Sequence, residues 1–385
     1  MAPPGSRAGA RPPPSCAGAP ASRCPCARST PPWRASCMSA LPEPPFAAAL
    51  LMPAWLGDCA LASALIPSVA ALSGAPIQLW CRPAQRALFA CDPDVGEVLA
   101  YDPRREHRGL AGLWRLRRAV QRSRLRPAAL WILPDSLSSA LAGAVSGVRL
   151  RIGYSGQGRT ALLSRRLGPP PRREGHWLEE RARLLAPFLP SGPPDLQPRL
   201  HLDPAAAARL AAKLAARELD AARCVVLVPG ATYGPTKRWP GFAALGAALP
   251  AGLPLLVVGS AAERPLAAAL ATALAAQGRA ALDLCGALDL GELAALLAQA
   301  RCTVSGDTGP MHLAAAVGGR VLGLFLSTSP EWTAPRGPQA RWLVADLACR
   351  PCFARACPLP VQRCGEAIAA QTVRAAIADW LGEAA

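Results

Sequence analysis

The sequence predicts an α/β protein with two doubly wound, Rossmann-like domains. Short apolar segments alternate with helical segments through the second half, the linkers between them are short, and the first half repeats the pattern less clearly. Such alternation is typical of parallel sheets with helices on both faces. A chain of 385 residues is long enough to bury two cores of this kind.

In the first half, four apolar segments are predicted strands: residues 47–52, 77–80, 129–133 and 148–152. Residues 47–72 are nearly all apolar, so a membrane-spanning helix has to be considered. Asp58 lies near the centre of this run, where a charge costs roughly 2.5–3.5 kcal/mol on insertion scales. Gly57 and Pro67 also interrupt it. We therefore predict a strand, a turn and a buried helix over residues 59–72, and no membrane span.

The second half alternates more regularly. Its predicted strands are residues 224–228, 253–258, 280–284, 302–304 and 321–325. Its predicted helices are residues 241–249, 263–276, 291–300 and 310–317. Because ligands of open α/β sheets bind outside the carboxyl ends of the strands, we expect the loops after these strands to converge on one site.

The first 44 residues differ in composition from the rest. They are rich in Pro, Arg, Ser, Ala and Cys, and no acidic residue precedes Glu43. Such a segment buries too little apolar surface to offset the entropy of ordering, so residues 1–44 are predicted to be a disordered extension. An upstream start of translation, with Met38 as the alternative, is one explanation, and a transit peptide is another.

Two domains are predicted after this extension. An N-terminal Rossmann-like domain covers residues 45–190, and a C-terminal Rossmann-like domain covers residues 205–385. The Pro-rich stretch 191–204 is the predicted linker. At its end, Asp203 and Pro204 suit the N-cap and first turn of an alanine-rich helix.

The net charge of +17 indicates anionic partners. Five arginines lie in residues 1–42, and residues 43–385 still carry +12. Nucleic acid, anionic lipid headgroups and a phosphorylated glycolipid are the candidates. No nucleic-acid-binding module accompanies the charge, and aromatic residues make up only 5% of the chain, which favours a glycolipid at a membrane surface over nucleic acid.

The 14 cysteines are scattered, which argues against the disulfide framework of a secreted protein. Most are predicted to be small core residues. Cys349, Cys352, Cys357 and Cys364 are close enough in sequence for zinc or an iron–sulfur cluster, but a second Cys-x-x-Cys is missing. We predict no metal site, and the metal alternative stays open for these four thiols.

Residues 304–316, Val-Ser-Gly-Asp-Thr-Gly-Pro-Met-His-Leu-Ala-Ala-Ala, are the most informative segment. An apolar strand ends in a polar turn, and a helix of small residues begins with Asp307 or Thr308 as N-cap and Pro310 in its first turn. The free N–H groups and positive dipole end of such a helix suit a diphosphate. The alternative is a well-capped helix without a ligand.

Residues 228–240, Val-Pro-Gly-Ala-Thr-Tyr-Gly-Pro-Thr-Lys-Arg-Trp-Pro, form a second transition from strand to loop to helix. The chain has only two lysines against forty arginines, and Lys237 lies in this loop. A compact ammonium on a flexible stem suits a phosphate as a point charge. A solvated loop lysine is the alternative.

Together these segments resemble glycosyltransferase family nine, the ADP-heptose:lipopolysaccharide heptosyltransferases, and especially the heptosyltransferase II branch. The family shows a Gly-x-Thr/Phe…Lys-x-Trp-Pro loop followed by an Asp-Ser/Thr-Gly-x-x-His-x-Ala-Ala-Ala segment. Other segments agree, at residues 55–58, 132–136, 151–154 and 329–330. The resemblance runs from about Phe46 to the C-terminus. It implies the GT-B architecture, two Rossmann-like domains meeting at a cleft, and allows the last helix, residues 366–381, to cross back to the first domain.

The resemblance implies that the N-terminal domain binds the acceptor and that the C-terminal domain binds the nucleotide sugar and holds its ADP. The matching positions are Thr232, Lys237, Glu263, Asp307, Thr308, Gly309 and His312. Thr232 and Lys237 match phosphate contacts, and Glu263 matches an acidic residue bonded to ribose hydroxyls. Asp307 to Gly309 match the phosphate-facing helix start. His312 is placed to reach the diphosphate, and a buried packing histidine is the alternative.

Asp58 is the predicted catalytic base. Gly57 lets the backbone turn at the end of the first strand, and an acceptor hydroxyl must lose its proton as it attacks the anomeric carbon. The alternative is an N-cap for the helix that follows.

The resemblance implies an inverting, metal-independent and cofactor-free transfer of heptose to the Kdo–heptose inner core of lipopolysaccharide. The excess positive charge predicts peripheral attachment, without insertion, to the cytoplasmic face of the anionic inner membrane. Other family-nine donors or acceptors, a sugar-nucleotide-binding protein without catalysis, and a basic nucleic-acid-binding protein remain alternatives.

Overall fold

The computed structural model describes residues 41–171, 173–189 and 194–383. Two six-stranded sheets, in which every strand pair is parallel, organise these residues. The prediction of a parallel α/β fold is therefore confirmed. The predicted extension lies almost wholly outside the described residues, and so do residues 191–193 of the predicted linker.

The first sheet has the strand order β3-β2-β1-β4-β5-β6. Its strands are β1 (Ala48–Leu51), β2 (Ile77–Cys81), β3 (Val95–Ala100), β4 (Ala129–Ile132), β5 (Leu150–Tyr154) and β6 (Arg165–Leu167). Its helices are α1 (Leu56–Ala62), α2 (Ile66–Ser73), α3 (Gly109–Arg122), α4 (Leu137–Ser146) and α5 (Trp177–Ala182). The central register pairs Ala49 with Gln78 on one side and with Leu130 on the other.

The second sheet has the strand order β12-β11-β10-β7-β8-β9. Its strands are β7 (Val225–Val228), β8 (Leu255–Val257), β9 (Ala281–Asp283), β10 (Cys302–Gly306), β11 (Val321–Phe325) and β12 (Ala340–Val344). Its helices are α6 (Pro204–Ala215), α7 (Phe242–Ala248), α8 (Arg264–Ala275), α9 (Leu290–Gln299), α10 (Gly309–Ala316), α11 (Pro330–Thr333), α12 (Arg363–Glu366), α13 (Ala370–Ala376) and α14 (Ala378–Leu381).

Burial explains which strands the sequence predicted. All residues of β1, β2, β4, β7, β10 and β11 are buried, as expected for continuous apolar runs covered on both faces. The strands β3, β6 and β12 were missed. They lie at or next to the edges of their sheets, and most of their residues are partly exposed, so their sequences lack the apolar run.

The buried apolar run after β1 differs from the prediction. A single helix at 59–72 was expected, but α1 starts at Leu56 and a 3₁₀ turn at Ser63–Leu65 separates it from α2. The stretch Leu56–Ser73 has the length and composition of a membrane span, yet two-thirds of it is buried inside the protein. It serves as the core-facing helical layer of the first sheet.

The first and last helices of the second half differ in how well the sequence predicted them. Asp203 caps α6 as predicted, because its carboxylate accepts the N–H of Ala205 at 2.9 Å. The suggestion that the final helix crosses to the first domain is wrong. Residues 366–381 form short helices whose apolar side chains, among them Val373 and Trp380, pack with Trp239 against the second sheet.

Candidate active site

The site lies at the switch points of the two sheets. Strand order reverses between β1 and β4 in the first sheet and between β7 and β10 in the second. The segments that follow these four strands carry Asp58, Asp135, Lys237 and Asp307. A crevice opens at such a reversal, and ligands of open α/β sheets bind there.

The starts of helices α1 and α10 pack directly against each other. A Cβ on Gly57 would lie 2.7 Å from Cδ2 of His312, and a Cβ on Gly309 would lie 2.8 Å from Cβ of Leu56. A side chain at either position would push the two helices apart, so their contact depends on these glycines. The positive ends of both helix dipoles meet at this place, which favours an anion between them.

Lys237, Asp307 and His312 form one polar cluster. The Lys237 ammonium lies 2.7 Å from Oδ2 of Asp307 and donates to the Asp307 carbonyl at 3.0 Å, while Nε2 of His312 lies 3.5 Å from Oδ1. Burial disfavours the charged Asp307 carboxylate, but His312 and Lys237 outweigh it, so the pKa of Asp307 is lowered. Asp307 is thus a buried anion that orients the Lys237 ammonium and the His312 ring.

Lys237 is a fixed side chain, so the interpretation as a solvated loop lysine is wrong. Its side chain is 15% exposed, and its ammonium lies 5.1 Å from the centre of the Tyr233 ring. Two of its three hydrogens are directed to Asp307. The ammonium has no third hydrogen-bond partner among the described residues.

Asp58 lies inside the first turn of α1, whereas the sequence placed it in the turn after β1. Trp55 holds the N-cap position and no side chain caps this helix, so the interpretation of Asp58 as an N-cap is wrong. Burial raises the pKa of Asp58 to about 6, although the charges of His312, Arg181 and Lys237 oppose the shift. A carboxylate with this pKa is poised to take up a proton near neutral pH.

His312 is both buried and polar. It sits one turn into α10 against Gly57, and its Nδ1 has no hydrogen-bond partner among the described residues. The structure therefore joins the two interpretations of this residue, since it packs between the helices and also belongs to the Asp307 cluster.

Glu263 closes the loop beyond β8. Its carboxylate accepts the Ser260 amide at 2.7 Å and the Ser260 hydroxyl at 2.8 Å, in a capping box. A Cβ on Gly230 would lie 2.0 Å from Oε1 of Glu263, so the loops after β7 and β8 meet here. Thr232 is exposed in the same loop region.

Thr308 occupies the N-cap position of α10, but its hydroxyl does not cap the helix. It lies 3.0 Å from the hydroxyl of Ser305 instead. Pro310 lies in the first turn as predicted. The first amides of α10 therefore have no side-chain cap within the described residues.

A second charged cluster, at the end of β4, was not predicted from the sequence. Asp135, after β4, lies 2.7 Å from Nη2 of Arg159 through one carboxylate oxygen and 2.7 Å from Nη2 of Arg181 through the other. Glu180 lies 2.7 Å from Arg181 as well. Arg159 is 1% exposed, and Nε of both arginines lacks a partner among the described residues. Arg181 is close enough to Asp58 to lower its pKa.

The cysteine-rich segment supports the Lys237 loop. Thr236 donates its hydroxyl hydrogen to the Ala354 carbonyl, Tyr233 donates to the Phe353 carbonyl at 2.9 Å, and Gln362 donates to the Thr236 carbonyl at 3.2 Å. Across residues 41–171, 173–189 and 194–383, no three His, Cys, Asp or Glu side chains are arranged to hold a metal ion.

Comparison with known proteins gives consistent matches. Residues 114–362 match the sequence model of glycosyltransferase family 9 (heptosyltransferase). The chain is 28% identical over 309 residues to lipooligosaccharide heptosyltransferase 2 of Haemophilus influenzae, covering 76% of this chain and 86% of the relative. It is 27% identical over 308 residues to lipopolysaccharide heptosyltransferase 2 of Escherichia coli, covering 75% and 85%.

Solved structures show the same fold. The structure of E. coli ADP-heptose lps heptosyltransferase II superposes with a TM-score of 0.70 at 24% identity, over 87% of this chain and 98% of that one. A family 9 glycosyl transferase from Veillonella parvula superposes with a TM-score of 0.75 at 15% identity, over 90% and 100%. The two doubly wound sheets thus form a GT-B fold.

Proposed function

The chain belongs to glycosyltransferase family 9, and we propose that it transfers a heptose from ADP-heptose to the inner core of lipopolysaccharide. One observation carries the proposal. The starts of α1 and α10 bring a carboxylate with a raised pKa, Asp58, beside the buried Lys237–Asp307 pair. The named relatives are heptosyltransferases of lipopolysaccharide or lipooligosaccharide.

The donor diphosphate is assigned to the α10 side of the site. The uncapped amides at Thr308 and Gly309 and the free hydrogen of Lys237 supply donors for phosphate oxygens. Asp307 acts through Lys237 and His312, since its own carboxylate is buried between them. Thr232 and Glu263, on the adjoining loops, are assigned to the phosphate and to the ribose of ADP.

The chemistry is a single displacement with inversion at the anomeric carbon. The acceptor oxygen forms the new glycosidic bond and gives its proton to Asp58, while the bond to the β-phosphate oxygen of ADP breaks. Negative charge grows on the departing phosphate, and Lys237 with the α10 amides stabilises it.

Metal independence is part of the proposal. The chain contains one Asp-x-Asp triplet near the first sheet, Asp92-Pro93-Asp94, of the type that binds metals in some transferases. It precedes β3, at the amino end of the strand and therefore at the edge opposite the site. Asp92 there accepts the Asp94 amide at 3.0 Å and shapes a turn.

The acceptor is assigned to the first sheet. The Asp135–Arg159–Arg181 cluster lies at the carboxyl end of β4, near Asp58, at an edge where Asp135 and Glu180 hold two guanidinium groups in place. An anionic sugar such as Kdo, or a phosphorylated heptose, suits such an edge. We place the enzyme in the cytoplasm, at the periphery of the inner membrane, where this acceptor is exposed.

A thermal-shift series tests the donor assignment. ADP and ADP-heptose should raise the melting temperature, while UDP, GDP and their sugars at equal concentration should have little effect. Stabilisation by UDP or GDP instead would move the function to another nucleotide sugar. Stabilisation by oligonucleotides alone would favour the nucleic-acid alternative.

A further inference from the structure

Helix α3 carries an exposed face that the transfer reaction does not use. Its buried side is formed by Gly112, Leu116 and Val120, spaced four residues apart. Leu110, Trp114 and Arg118 are spaced in the same way but are offset by half a turn, so they point away from the sheet. We propose that this face docks the protein on an anionic lipid bilayer.

The charge on this part of the chain is strongly one-sided. Residues 104–126 contain nine arginines and a single acidic residue, Glu106. All nine arginines are exposed: Arg104, Arg105, Arg108, Arg115, Arg117, Arg118, Arg122, Arg124 and Arg126. Juxtaposed basic residues are attracted to the negative potential of anionic lipids, so the charge complements such a surface.

Apolar side chains accompany the charge. Leu110 is 86% exposed and Trp114 is 55% exposed, although both are large apolar residues. The guanidinium of Arg118 lies 4.4 Å from the centre of the Trp114 ring. A basic helix with exposed Trp and Leu on its outer face is the pattern of helices that lie in a membrane interface.

The position of α3 relates this face to the site. The helix follows β3, so its first turns, with Leu110 and Trp114, lie toward the carboxyl edge of the first sheet. Tyr101 ties that edge to α4, because its hydroxyl donates to the Ser138 carbonyl at 3.3 Å. Leu137, the first residue of α4, is 48% exposed and follows Asp135 closely in the chain. A bilayer touching α3 therefore lies on the acceptor side.

A lipid surface explains these features better than a nucleic acid. Binding of single strands relies on aromatic faces on which bases stack. Trp114 is the exposed aromatic residue of this face, and Arg118 already covers its ring. An exposed leucine at the start of the helix adds nothing to phosphate binding but adds apolar area for insertion between headgroups.

Vesicle co-sedimentation of the full chain tests the inference, without donor or acceptor present. We expect binding to phosphatidylcholine vesicles that contain phosphatidylglycerol, weakened by salt, and little binding to phosphatidylcholine alone. In R118Q/R122Q the partition coefficient should fall about fivefold for each arginine removed. In L110S/W114S it should fall at least tenfold, because the apolar insertion is lost.

The second sheet offers matched controls. Trp342 on β12 is 45% exposed, and Arg320 is exposed before β11. The variant W342S/R320Q should bind vesicles like the parent chain. Equal loss in this variant, no loss in the α3 variants, or no preference for anionic vesicles would each overturn the proposal. The proposal would also be overturned if the chain bound oligonucleotides through Arg118 and Arg122 but did not bind vesicles.

This inference rests on the proposed function only in that the acceptor is membrane-bound. The two fail separately. A chain that binds anionic vesicles through α3 but transfers no heptose would overturn the proposed function alone. A chain that transfers heptose and whose α3 variants bind vesicles normally would overturn the docking surface alone.

Discussion

Lys237 and Asp307 form a 2.7 Å ion pair that joins the loop after β7 to the loop after β10, across the switch point of the second sheet. The carboxylate is almost fully buried, and His312 lies 3.5 Å from its other oxygen. The pair therefore fixes the one lysine of the site before any ligand arrives. Preorganised charge of this kind is what stabilises a departing phosphate most effectively.

Replacing Lys237 should weaken donor binding. K237A removes a charge-assisted hydrogen bond, for which we expect a loss of roughly 1.5–3 kcal/mol in ADP affinity. K237R should recover little, because a planar guanidinium does not replace a point charge. Calorimetric titration with ADP measures both. Unchanged ADP affinity in K237A would make the loop purely structural.

A double variant separates binding from folding. K237A alone leaves the Asp307 carboxylate buried without its ammonium partner, which destabilises the fold. In K237A/D307N the unpaired charge is gone, so the melting temperature should recover most of its loss while ADP affinity stays low. Recovery of ADP affinity together with the melting temperature would show that Lys237 acts only on the fold.

Removing the carboxylate of Asp58 should abolish most turnover. D58N is expected to lower kcat roughly 10²–10⁴-fold, the usual contribution of a general base, with ADP affinity little changed. Since the pKa of Asp58 is raised to about 6, the rate of the parent enzyme should fall as the pH drops through 6. The residual rate of D58N should lack this dependence. Turnover near that of the parent would exclude Asp58 as the base.

The same substitution should stabilise the protein. The pKa of Asp58 is higher in the folded state than its ordinary value of 3.8, so the fold binds the proton more tightly. Above pH 6 the carboxylate is ionised in both states and its burial penalty is fully present; the penalty is relieved as the pH falls from 6 toward 4. D58N should therefore gain up to about 3 kcal/mol at pH 7.5 in denaturant unfolding. A less stable D58N would contradict this.

The close approach of α1 and α10 is testable through Gly57. G57A places a methyl group 2.7 Å from the His312 ring, so the helices must separate, at roughly 1–3 kcal/mol. We expect a lower melting temperature and a larger fractional loss of kcat. G252A is the matched control, since a Cβ there meets no atom within 4 Å. If G57A and G252A have the same melting temperature and kcat, the contact between α1 and α10 contributes to neither stability nor turnover.

The cysteine-rich segment should influence donor binding from outside the site. T236V deletes the hydroxyl that bonds the Ala354 carbonyl, with little change in side-chain volume. The loop that carries Lys237 loses one of its tethers, and the KM for the donor should rise more than kcat falls. An exposed position such as Thr272, changed to Val, is the control. No change in either constant would limit the segment to a passive role.

The sequence carried enough information for the central strands and for the loops of the second sheet. Continuous apolar runs such as β10 and β11 can be predicted as strands from the local sequence alone, because both faces of the strand are buried. The loops containing Lys237 and Asp307 were predicted to converge, and the ion pair between them confirms it. That Lys237 pairs with Asp307, rather than with a phosphate alone, could be seen only in the structure.

The first-sheet side of the site could not be predicted in the same way. Asp135, Arg159 and Arg181 are separated by 22 and more residues, and in a chain with forty arginines no local pattern distinguishes these two from the others. Asp58 was predicted, but its place in the first turn of α1 was not. That placement depends on Trp55 taking the N-cap position and on Gly57 packing against His312.

The direct test of the account is a transfer assay with purified protein, ADP-heptose and a heptose-deficient core acceptor, followed by mass spectrometry of the acceptor and by ADP release. The account predicts that the acceptor gains one heptose for each ADP released, that chelators do not slow the reaction, and that D58N loses it. ADP-heptose that is bound but never transferred, or transfer only from another nucleotide sugar, would contradict it.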